Sequence, residues 1–159
     1  MKKYVAAIFS GLLGAGIGCG LVYKKEHDKL KKALELDRKN DAIIRLFGKW
    51  NCLKQEGKSV AEYLLENGYK HIAIYGMHHM GKCLLNELQG SEICVDYAID
   101  KRPENAEDLI KVYLPDEDLP TVDAVVVTAF YYFDEIEDHL DNQLDCPIIS
   151  IEDIIYEME

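Results

Sequence analysis

From His71 onward, short apolar runs alternate with stretches of helical periodicity, and this alternation constrains the fold more than any other feature. The strand-like runs are His71–Tyr75, Ile93–Ile99, Ile110–Tyr113, Ala124–Thr128 and Pro147–Ser150. The helix-like runs are Met80–Gln89, Phe133–Leu140 and Ile151–Met158. Strands that alternate with helices pair as a parallel sheet with the helices packed on its faces. The Val125-Val126-Val127 run carries no polar alternation, as expected of a strand covered on both sides. The sequence therefore predicts an α/β fold, a small Rossmann-like parallel sheet of about five strands flanked by helices. The segment between the second and third strands (Arg102–Leu109) is short and polar, so part of the usual helix set is missing.

Upstream, the apolar spacing changes to helical steps. Lys24 to about Lys54 reads as a basic helical stalk, with Leu30, Leu34 and Leu36, then Ile43, Phe47, Trp50 and Leu53 at three- and four-residue intervals. Its second half is expected to pack on the domain, and Gly57 ends it. Ser59-Val60-Ala61-Glu62 opens the next helix as a capping box, and Gly68 closes that helix before the first strand. Before the stalk, Tyr4–Tyr23 is an uncharged 20-residue run, long enough to cross a bilayer as a helix. Lys2 and Lys3 precede it, whereas Lys24, Lys25, Lys29, Lys31 and Lys32 follow, which places the C-terminal domain in the cytoplasm of a single-pass protein. The chain thus divides into an anchor (1–23), a stalk or packing helix (24–57) and a Rossmann-like domain (58–159). A cleaved signal peptide, with Gly16-Ile17-Gly18 at the cleavage region, is the rival reading. Gly14/Gly18 and Gly16/Gly20 are GxxxG pairs of the kind that allow helices to self-associate in a membrane.

Residues 70–159 carry 5 basic against 21 acidic residues, so this part repels a phosphate backbone and nucleic acid is excluded as its partner. The five cysteines are odd in number and lack CxxC spacing, which points to a reducing compartment. Cys94 and Cys146 sit beside apolar runs and are expected to be small core residues.

The stretch His71–Lys82 reads as strand, glycine turn and helix start, an arrangement that offers free backbone N–H groups and a positive helix dipole to a phosphate. Gly76 and Gly81 fit the outer positions of the dinucleotide fingerprint GxGxxG, with His78 in place of the middle glycine. Asp100, closing the second strand, is placed to take ribose hydroxyls, and Lys101 beside it to meet phosphate. Met77, His78 and His79 line the turn, and Thr128 and Phe130 follow the fourth strand where such ligands settle. The same turn matches GxxxxGK, but Cys83 replaces the hydroxyl that would hold Mg²⁺. His79 and Cys83 share a helix face without an evident third ligand, so no metal site is assigned.

Gly68–Gly76, the Asp100-Lys101 strand end, Asp123–Thr128 and Asp145–Asp153 together resemble small Rossmann-type nucleotide- or nucleotide-sugar-binding domains. Such domains occur in bacterial surface-polysaccharide synthesis proteins, including sugar acyltransferases and epimerase-like proteins. The resemblance covers residues 55–159. It implies a nucleotide or nucleotide-sugar ligand; NAD(P) stays open as a cofactor, and the leading reading of the residues is binding without catalysis. A protein-interaction module on a vestigial scaffold is the alternative. An NAD(P)-dependent oxidoreductase or epimerase comes third, because no acid–base pair stands out and no catalytic residue is assigned.

Overall fold

The computed structural model describes residues 2–106 and 108–159, apart from the side chains of residues 2–22 and Asn105. Its elements are α1 (Lys2–Gln55), α2 (Val60–Glu66), β1 (His71–Tyr75), α3 (His79–Leu88), β2 (Cys94–Ile99), β3 (Val112–Tyr113), β4 (Ala124–Val127), α4 (Phe133–Leu140), β5 (Ile148–Ser150) and α5 (Ile151–Glu157). Two compact units divide the chain, Met1–Ile44 and Arg45–Glu159. In the first, Leu30, Leu34 and Leu36 are exposed. The side chains of the run Tyr4–Tyr23, that of Tyr23 apart, lie outside what is described, so its apolar character and glycine pairs are read from the sequence alone. Among the described residues no helix is long and apolar enough to cross a membrane.

The second unit holds five parallel strands in the order β3-β2-β1-β4-β5. The chain builds outward from β1 to β3, then returns to place β4 on the other side of β1, which gives a Rossmann-like topology. Alternation along the strands divides the core in two. Ala73, Tyr75, Tyr97, Ile99, Val125 and Val127 pack with Ile136 and Leu140 of α4. Ile72, Ile74, Ala98 and Val126 are fully buried on the opposite face, where α3 lies against β1 and β2 and α2 touches both α3 and α5. The third strand is shorter than the sequence pattern predicts. The N–H groups of Leu109 and Ile110 both donate to the Ala106 carbonyl, which curls that stretch into a turn and leaves two residues to pair.

The second unit begins at Arg45 because the end of α1 belongs to its core. Leu46, Trp50 and Leu53 are at most 4% exposed, spaced so that they share one helix face. Phe47, the other aromatic in the stretch, is only half-buried and stacks on Trp50 at 6.0 Å. The Glu87 carboxylate of α3, 5% exposed, ties this face down. It accepts from the Trp50 indole (2.8 Å) and the Val60 N–H (2.9 Å), and it pairs with Lys54 at 2.9 Å. Ser59 Oγ accepts from Glu62 N–H as the capping pattern requires, while the distant Glu87 serves the N–H next to the cap. The bonds Lys58 N–H to Leu53 and Gly57 N–H to Lys54 close α1 in a Schellman arrangement, which α2 repeats at Gly68 and Tyr69.

Cys94 is a correction to the sequence expectation. It is exposed at the first position of β2, where the sheet edge opens, whereas Cys146 is half-buried against the α4 side of the core. Asp123, just before β4, anchors the start of β1: its Oδ2 accepts from the N–H groups of Lys70 (2.9 Å) and His71 (2.7 Å).

Two outcomes are expected from these contacts. Glu87→Ala strands the Trp50 indole and the Val60 N–H, and should cost about 2–4 kcal/mol in urea unfolding, with Glu87→Gln costing roughly half as much because one acceptor remains. The two backbone N–H bonds hold the Asp123 carboxyl below its ordinary value of 3.8. Its stabilising contribution is therefore present above that value and is lost as pH falls through the depressed one. Unfolding midpoints of Asp123→Asn should lie below those of the native chain at pH 6 and converge with them under strong acid.

Candidate functional site

The turn after β1 is set by two glycines. Gly76 adopts φ +92°, and a Cβ there would meet Thr128 Oγ1 at 3.1 Å and Ala129 Cβ at 3.3 Å. Gly81 is in the first turn of α3, so close to the strand end that a Cβ would overlap the Gly76 carbonyl oxygen. These are the tight-turn and close-packing roles of the outer glycines in the dinucleotide fingerprint. Around them, the Gly76 N–H donates to the Ile99 carbonyl (2.8 Å). The Thr128 hydroxyl donates to the Gly76 carbonyl, with the Tyr75 carbonyl at 3.1 Å. Asp100 Oδ2 accepts from the Met77 N–H (2.6 Å), and its Oδ1 accepts from Arg102 N–H (2.8 Å). Asp100 therefore fastens the end of β2 to the turn, and each carboxylate oxygen keeps a lone pair for a ligand.

A cavity of ≈ 430 Å³ opens over this turn, lined by Tyr75, Gly76, His78, Asp100, Lys101, Ala129, Tyr132, Glu135 and Ile136. A second cavity of ≈ 430 Å³ shares Tyr75, Lys101, Glu135 and Ile136 with it and reaches Leu114, Asp116 and His139. Together they form one cleft outside the C-terminal ends of β1, β2 and β4, at the point where the strand order reverses. Ligands settle there in open α/β sheets. His78 has no side-chain bond to the helix end, and the Lys82 N–H is the first in α3 to reach a carbonyl behind it, that of His78 at 3.1 Å. The N–H groups of the first turn consequently face the strand end as donors. Asp100, Asp116 and Glu135 make the cleft predominantly acidic, with Lys101 the cation on its wall. Burial first, then the charges of those three carboxylates, push the Tyr75 phenol above its ordinary value, so it stays neutral and able to donate.

Of the residues singled out from the sequence, Gly76, His78, Asp100 and Lys101 line the cleft. Met77 is 0% exposed, its side chain packed beneath the turn with Sδ 3.3 Å from where a Gly81 Cβ would stand. His79 is exposed, with its ring edge-on to His78 at 4.1 Å. Gly81 and Thr128 act from behind the wall by shaping the turn, and Phe130 is half-buried with its ring 5.2 Å from Tyr131. Sequence reasoning missed Tyr75, Tyr132 and Glu135. Tyr75 reads as the end of an apolar strand, and Glu135 as one acid in an acidic helix. Only the crossover that returns α4 over β1 reveals that both face the turn. No protein-family model, curated protein or solved structure matches the chain.

A pair of glycine substitutions separates turn geometry from helix propensity. Gly81→Ala should destabilise the chain by about 3 kcal/mol or prevent folding, because backbone must move. Gly48→Ala, in α1 with nothing within 4 Å of the new methyl, should instead stabilise it by about 0.5–1 kcal/mol in the same urea titration.

Proposed function

We propose that the unit Arg45–Glu159 binds a nucleotide, nucleotide-sugar or similar phosphorylated ligand and performs no chemistry on it. The observation that carries this reading is the open cleft above Gly76, with Met77 packed down into the core and His78 on the wall. A turn retained only as scaffold would have these side chains filling the space. In our reading the phosphate sits at the first turn of α3 between His78 and Lys101, where backbone donors meet the lysine cation. The hydroxyl-rich part of the ligand faces Asp100, Glu135 and Asp116, since carboxylates are strong acceptors for ribose or sugar hydroxyls. Tyr132 offers an aromatic surface for a base. An acidic cleft suits such a ligand better than it suits a polyphosphate with few hydroxyls.

We assign Tyr4–Tyr23 as the single-pass anchor, which holds the domain at the cytoplasmic face, with the glycine pairs as a self-association stripe. We place a nucleotide-sugar ahead of NAD(P) because the cleft sets several carboxylates where sugar hydroxyls would lie. The second reading, an interaction module, is favoured by Leu30, Leu34, Leu36 and Ile44, which lie exposed along α1 at 52–68%.

Thermal unfolding of the full chain in mild detergent against UDP-sugars, NAD(P)(H), ATP and coenzyme A tests the proposal. A ligand at 100 times its Kd adds about 2.7 kcal/mol of stability, a readable rise in midpoint. The rise should appear with a UDP-sugar and shrink in Lys101→Ala and His78→Ala. Both side chains are exposed and take no part in the turn's internal hydrogen bonds, unlike that of Asp100. No rise with any compound would sink the proposal in favour of the interaction module.

A further inference from the structure

A second group of reactive side chains gathers at the opposite edge of the sheet, five residues of β1 away from the glycine turn and so roughly 17 Å from the cleft. His71 opens β1, Cys94 opens β2 directly opposite it, and Asp96 follows two residues later. One donor atom from each, the His71 Nδ1, the Cys94 Sγ and an Asp96 carboxylate oxygen, lies within 4.8 Å of the others. His71 Nδ1 is 3.1 Å and 3.2 Å from the two Asp96 oxygens.

Strand pairing and pleat bring these side chains together: His71 pairs with Cys94, and Asp96 follows two residues on, the spacing that returns a strand side chain to the same face. Ile72 pairs with Val95 and Ala73 with Tyr97, so Asp96 is an extra residue bulged out of the β1–β2 ladder. With this irregularity in place the Asp96 carboxylate stands 3.1–3.2 Å from the His71 Nδ1. The neighbouring backbone is also held: Asp123 accepts the N–H groups of both Lys70 and His71, which fixes the point where the imidazole leaves the sheet. All three donor residues are exposed. Three elements of the edge thus serve a cluster that contributes nothing to the core.

We propose that His71, Cys94 and Asp96 form a site for a borderline-soft divalent cation of the zinc class. Imidazole nitrogen, thiolate sulfur and carboxylate oxygen are the donors such ions take, and three protein ligands leave the fourth tetrahedral position to water. Zn–ligand bonds of about 2.0–2.3 Å put tetrahedral donors roughly 3.3–3.8 Å apart. Closure from 4.8 Å therefore needs about 1 Å of side-chain movement, which exposure permits. On binding, the Cys94 thiol proton leaves to solvent, and the imidazole keeps its proton on Nε2 so that Nδ1 can ligate. Thiolate and carboxylate together balance the charge of the cation.

Cobalt substitution of the full chain tests the site, with Co²⁺ alone as the probe. One equivalent should give a near-ultraviolet thiolate-to-cobalt band together with the intense visible bands of a tetrahedral ion. Cys94→Ser should abolish the thiolate band. His71→Gln and Asp96→Asn should each weaken Co²⁺ by more than about 10-fold, since even supporting residues of metal sites cost that much. Cys83→Ser, which removes the thiol beside His79, should change nothing. All these positions are exposed, and a circular-dichroism melt of each variant verifies folding. Absence of a thiolate band in the native chain, or a band that survives Cys94→Ser and disappears with Cys83→Ser, overturns the proposal.

Discussion

The close approach of Gly81 to the Gly76 carbonyl is the constraint on which the rest of this domain depends. It sets how near α3 can lie to the end of β1, and so where the first N–H groups of that helix point. The bonds around it fix the turn from both neighbouring strands. Asp100 reaches across from β2 to the Met77 N–H, Ile99 receives the Gly76 N–H, and Thr128 donates from the end of β4 to the Gly76 carbonyl. Three adjacent strands thereby end in one hydrogen-bonded unit. Turns held in this way are preorganised, so a ligand that meets them spends little binding energy on ordering them.

The other end of the structure is tied by Glu87. A nearly buried carboxylate would be costly alone; here it receives two N–H bonds and a lysine, and so joins α1, α2 and α3 into one wall of the core. This explains why the compact unit starts within α1 and includes Leu46, Trp50 and Leu53. A fragment begun after that helix would expose the apolar faces that these residues cover, and it would leave Glu87 short of the indole and the ammonium group.

Much of the fold was legible from sequence because it follows from patterns with few solutions. Val125–Val127 had to be a covered strand, Ser59 and Gly68 marked their helix ends, and α4 fell on the residues its periodicity gave. The third strand was overestimated because its apolar residues continue into a turn closed by the Ala106 carbonyl, which local pattern does not disclose. The site was legible only in its local part. Gly76, His78, Asp100 and Lys101 belong to two strand ends and reach the cleft, whereas Met77 went into the core because the turn that frees its neighbour buries its own side chain. Glu135 and Tyr132 arrive through the crossover from β4. The edge cluster was hidden for a related reason: the pairing of β1 with β2, which local spacing does not disclose, sets His71 opposite Cys94 and beside Asp96.

Under the proposed function, the glycine turn and the first turn of α3 receive the phosphate of a ligand whose hydroxyls face Asp100 and Glu135. Amide chemical shifts of ¹⁵N-labelled protein, followed while a UDP-sugar is titrated in, test it most directly. The largest shifts are expected at Gly76 and at His79, Met80 and Gly81, saturating together with those of Lys101 and Glu135. Saturable shifts confined to any other surface, or a spectrum unchanged at millimolar ligand, would contradict it.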